Sequence, residues 1–115
     1  MTSDTAVSTA ELIPAAGALL GMLTRFTTLP APEVSLDWVR DDEWRDPKWG
    51  VCLSFRKNTA DFEKWRQAVG IAPAAVRSVE SSTGAGMLLA NGTFAGVRVQ
   101  LFADYDPPTP EGTAR

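Results

Sequence analysis

The sequence predicts a single α+β domain in the order α-β-β-α-β-β-β. It would form a four- or five-stranded, mainly antiparallel sheet with two helices on one face. Two segments carry apolar residues at helical spacing, and four or five short segments alternate apolar with polar residues. Short turns join most of the alternating segments, which favours antiparallel neighbours. At 115 residues, with 44% hydrophobic and 22% charged side chains, the chain has the size and composition of one globular unit. Residues 1–10 and the Pro-rich tail 106–115 read as disordered, leaving 11–105 as the domain.

The first helix is expected over about Glu11–Thr27. Pro14 is tolerated only in a first turn, which keeps the start at Glu11 or later. Leu12, Ala16, Leu19, Leu23 and Phe26 supply its expected buried stripe. Gly17 and Gly21 have a spacing that permits close approach, read here as packing on the sheet, with a helix–helix dimer contact as the alternative. Leu29-Pro30-Ala31-Pro32 ends the segment.

Glu33–Arg40 alternates, with Val34, Leu36 and Trp38 on the inward face. Val51–Arg56 alternates likewise through Val51, Leu53 and Phe55, and Asp41–Trp49 between them reads as a loop. Asn58 or Thr59 can cap a second helix over about Ala60–Val69, with Phe62, Trp65 and Val69 as its seam. Gly70 supplies a left-handed closing residue, and Pro73 prevents the helix from resuming.

Val76–Thr83, Met87–Ala90 and Val97–Ala103 follow as strands. Thr83–Gly86 marks a loose turn, Asn91-Gly92 carries a strong hairpin signal, and Ala95-Gly96 suggests a bulge. The face away from the helices would carry Ser35, Asp37, Cys52, Ser54, Arg98 and Gln100.

Several chemistries lack their residues. There is no histidine and one cysteine, so His-based nucleophile pairs, two-His zinc sites and cysteine clusters cannot be built. No catalytic residue, cofactor site or metal site is assigned. The acids between Asp37 and Asp46 lack the alternation and central Gly of a calcium loop, and Arg40 and Arg45 can neutralise them. Gly84-Ala85-Gly86 precedes an extended segment, where a dinucleotide fingerprint requires a helix. The net charge is −3, and the basic residues are scattered apart from Arg56-Lys57, so direct nucleic-acid binding is not expected. The apolar run Leu12–Leu23 is too short for a membrane span. A lone cysteine and the lack of a basic N-terminal region suggest a cytoplasmic protein.

The segment Trp38–Trp49 carries the functional expectation. Trp44 and Trp49 lie among charges, where an apolar ring has no obvious core to join, and Trp and Arg dominate binding energy at protein interfaces. One reading is that both indoles fold back over the sheet's edge and shield it; in the other, Trp44, Trp49, Asp41, Asp42, Glu43 and Arg45 are the candidate partner contacts. The leading expectation is a non-catalytic protein-interaction or assembly module, with an unidentified protein partner or a homodimer. One alternative is an acidic regulator imitating nucleic acid, and another is a small-ligand binder or enzyme with a helix–sheet pocket.

Overall fold

The structure, a computed structural model, describes residues 8–41 and 44–106. A 3-10 turn over Thr9–Leu12 leads into helix α1 (Ile13–Arg25), with Pro14 in the first turn. Strands β1 (Glu33–Asp41) and β2 (Trp44–Ser54) follow, then helix α2 (Thr59–Val69) and strands β3 (Arg77–Glu80), β4 (Gly86–Phe94) and β5 (Val97–Tyr105). The five strands form one sheet in the order β1-β2-β5-β4-β3. Only the β2–β5 pair is parallel. Helix α2 and the β3–β4 pair supply the long crossover that a parallel pair requires.

Both helices cover one face of this sheet. Ala15 and Met22 of α1, and Phe62 and Trp65 of α2, join Val51, Leu53, Val99, Leu101 and Ala103 in one buried cluster. Trp65 is central: its ring meets Phe26 edge-on at 5.7 Å, and its indole Nε1–H donates to Pro30 O at 2.7 Å. That bond ties the linker between α1 and β1 to the second helix.

Helix α2 starts and stops on local signals. Asn58 Oδ1 accepts from the backbone N–H of Asp61 at 3.0 Å, satisfying a donor that no helical carbonyl reaches. Gly70 adopts φ 91°, and its N–H and that of Ile71 both donate to Arg66 O. Buried Arg66 grips Glu63 through Nε and Nη2 at 2.8 and 2.9 Å, and Nη1 donates to Ile71 O. This pairing holds the Glu63 carboxyl below its ordinary range.

Four expectations are corrected. Helix α1 buries Ala15, Ala18 and Met22; Leu19 and Phe26 of the expected stripe do pack against the core, but Ala16 is exposed and Leu23 is 42% exposed. The stripe is rotated because no charge lies between Ile13 and Thr24, so periodicity carried no phase. Of the glycine pair, only Gly21 packs closely, against Phe94; Gly17 faces open space. Asp41–Trp49 is not a loop, because β1 and β2 continue as a hairpin through Asp41 and Trp44. Finally, β4 runs straight through Asn91-Gly92, and the hairpin turns at Ala95-Gly96, where φ is 53° and 78°. Both turn residues are left-handed, as a two-residue hairpin of matching twist requires, so Ala95-Gly96 is the turn and not a bulge.

Candidate functional site

The groove with the most distinctive lining lies at one end of the sheet, beside the start of α1. It has a volume of about 520 Å³ and is lined by Pro14 of α1, Trp38, Lys48, Trp49, Thr93 and Val97, among others. Register builds it. Trp38 and Trp49 are direct cross-strand partners on the helix-bearing face, where Leu36 pairs with Val51. The two indoles meet at 5.3 Å between centroids with planes 69° apart, a favourable edge-to-face geometry.

Helix α1 does not extend over this pair, which leaves Trp38 48% exposed. The expectation that Trp38 belongs to the core is thereby corrected. It has the inward parity, but its strand outruns the helical layer. Trp49 is half-buried, and its Nε1 atom is buried without a hydrogen-bond partner among the described residues. An unpaired buried donor costs about 1–3 kcal/mol. The ring of Trp49 packs against that of Trp38.

Arg98 braces the groove. Its Nη1 donates to Val39 O at 3.2 Å and also to Asp46 O, clamping the hairpin to the start of β5. Gly50 makes the close approach possible, since a Cβ there would lie 2.7 Å from Arg98 O and 2.9 Å from Val39 Cγ2. Charged Glu11 and Lys48 lie exposed on the lining.

Of the residues named from sequence, Trp49 lies in the groove, and Trp38, which was assigned to the core, lies beside it. Asp41 and Trp44 are partners at the hairpin's far end, and Arg45 follows in β2. Only the backbone of Asp41, Trp44 and Arg45 is described, and Asp42 and Glu43 lie outside the described residues. Sequence reading missed Pro14, Thr93 and Val97, which register and helix placement bring to the groove from distant segments. Alternation did give Trp38 the same parity as Leu36, so the signal was present, but nothing indicated where α1 stops covering the strand.

The second face of the sheet carries no helix. Ser35 pairs with Cys52 there, and Gln100 Nε2 donates to Asn91 Oδ1 at 2.9 Å. Cys52 has the expected parity but is buried, and burial first, then the Asp37 carboxylate, push its thiol up to about 11. It is a protonated, unreactive thiol near neutral pH. An apolar patch missed by the sequence reading occupies one corner of this face. Val79 pairs with Met87 and Leu89 with Phe102, and Val79 is 58% exposed.

Among the described residues, no group of three or more potential metal-ligating side chains comes together, and no helix is long and apolar enough to cross a membrane. No family model, curated protein or solved structure matches the chain.

Proposed function

We propose that this domain is a non-catalytic protein-interaction module that receives an extended partner segment in the Trp38–Trp49 groove. The observation that carries this reading is the half-exposed indole pair, two large apolar rings held edge-to-face at the mouth of a groove. Such rings offer much contact area at small cost in side-chain entropy, and Trp is enriched among residues that dominate interface energy. The occupant would place an apolar side chain against the indoles and its charges against Lys48 or Glu11.

Selection of peptides from a random display library on the immobilised domain tests this. Enriched peptides should lose at least tenfold in affinity on Trp38→Ala, a change at an exposed site that leaves the fold intact by circular dichroism. Peptides that bind the variant as well as the wild type would refute the groove as the docking site.

The groove's size favours one further reading. Volumes of 300–1,000 Å³ are typical of small-molecule sites, so a small ligand lodged between α1 and the sheet is the alternative occupant. A thermal-shift screen against nucleotides, divalent cations and metabolites separates the two. A hit that Trp38→Ala abolishes supports a small ligand, and a screen with no shift leaves the peptide reading in place.

A further inference from the structure

The two edges of the sheet are built differently. Strand β3 has four residues, follows a 3-10 turn that begins at Pro73, and is flanked by the charges of Arg77 and Glu80. Short length is a usual protection of an edge, and it is what separates β3 from β1. Strand β1 has nine residues, among them the charged Glu33, Asp37, Arg40 and Asp41, holds neither Pro nor Lys, and has β2 as its sole neighbour among the described strands. At about 3.4 Å per residue, it offers roughly 31 Å of edge to another strand.

Side-chain order indicates which strand fits. Val34, Leu36 and Trp38 share the helix-bearing face, and Val34 and Trp38 are 40% and 48% exposed. The row is symmetric about Leu36. In a two-fold antiparallel pairing centred there, Leu36 opposes its own copy and Val34 opposes Trp38 at both ends. On the other face Ser35 opposes Asp37, two groups already bonded within the chain at 3.4 Å.

Other registers are worse. Centring on Asp37 sets two carboxylates face to face, and centring on Ser35 opposes Glu33 to Asp37. Like charges directly opposed are destabilising. Centring on Trp38 discards Val34 and meets the irregularity between Val39 and Asp41. An odd shift would put apolar residues opposite polar ones on the wrong face.

We propose that the chain forms a two-fold homodimer by antiparallel pairing of β1 with β1 of a second copy, centred on Leu36. The two sheets then become one, with all helices on the same side. Self-complementary pattern and avoidance of like charges select a second copy over an unrelated strand. The dimer seam shares Trp38 with the groove, but its charge test is independent of peptide docking, because Ser35 and Asp37 lie on the opposite face from Trp49.

Sedimentation equilibrium on the full chain reads the dimer, and charge reads its register. Wild type should show a concentration-dependent dimer. Ser35→Asp should raise its Kd roughly 2- to 30-fold, because two symmetry-related pairs change together. Adding Asp37→Lys should return the Kd to the wild-type value or below. In a Cys52→Ala background, Leu36→Cys should give a disulfide-linked dimer under mild oxidation, and Asp37→Cys should not. A monomer at millimolar concentration, a Kd indifferent to both charges, or preferential cross-linking at position 37 would overturn the proposal.

Discussion

A methyl group at Gly92 would sit 2.7 Å from Ile71 Cγ1 and 3.0 Å from its Cδ1. Ile71 is buried by the same Gly70 turn that ends α2, so a strand glycine and a helix cap are one packing device. Gly92→Ala should cost about 1–3 kcal/mol by overpacking, measured by urea unfolding. Gly17 provides the contrast. It meets nothing within 4 Å and lies inside a helix, so Gly17→Ala should stabilise by roughly 0.5–1 kcal/mol. The thiol of Cys52 makes a second prediction. Its ordinary value of 9.0 rises to about 11 in the fold. As pH climbs from about 9 to 11, the unfolded chain loses this proton before the folded one does. Stability from this group is therefore intact below pH 9 and declines toward pH 11. Unfolding curves across that window should show Cys52→Ala flattening the decline, by at most about 1.4 kcal/mol per pH unit. A variant that follows wild type would show that Cys52 is not shielded.

Elements were legible where local chemistry marked both ends. Helix α2 has Asn58 at its start and Gly70 at its close, and it falls within one residue of the span expected from sequence. Helix α1 shows the limit of pattern reading, since a nearly uncharged helix has no polar face to set its rotation. Ile13 and Leu20 remain 66% and 67% exposed. The antiparallel pairing of β1 with β2 was legible, but its extension through residues 41–50 was hidden by the charges there. Trp44, Lys48, Trp49 and Gly50 of β2 have partners in β1 alone, as β5 joins at Val51, so the stretch reads like a solvated loop and can include Pro47. The β4–β5 turn was misplaced because Asn91-Gly92 has the better turn composition. Asn91 is instead held by Gln100 across the strands, and Gly92 by its contact with Ile71. Ala95 at φ 53° is a poor residue for its left-handed position. Ala95→Asn should stabilise the domain by about 0.5–1 kcal/mol, visible as a raised urea midpoint. An unchanged or lowered midpoint would argue against this turn.

At the scale of the molecule, the class and element order were readable because amphipathic alternation reports which face of each strand is covered. Strand order was not, since the β2–β5 pairing joins segments more than forty residues apart. The candidate site depends on that pairing. Trp38 and Trp49 come from one hairpin, but Val97, Thr93 and Pro14 reach the groove only through the sheet order and the placement of α1. A two-layer body with helices on a single face leaves the hairpin's indoles beyond the end of α1, and the interaction reading rests on that overhang. The most direct test is a ¹H–¹⁵N spectrum of the indole N–H groups during titration with a display-selected peptide. Trp65 supplies an internal reference, because its ring is buried and its Nε1–H is bonded to Pro30 O. The Trp38 and Trp49 signals should move with saturable dependence on peptide while that of Trp65 stays fixed. Saturable binding that leaves Trp38 and Trp49 unmoved would contradict it.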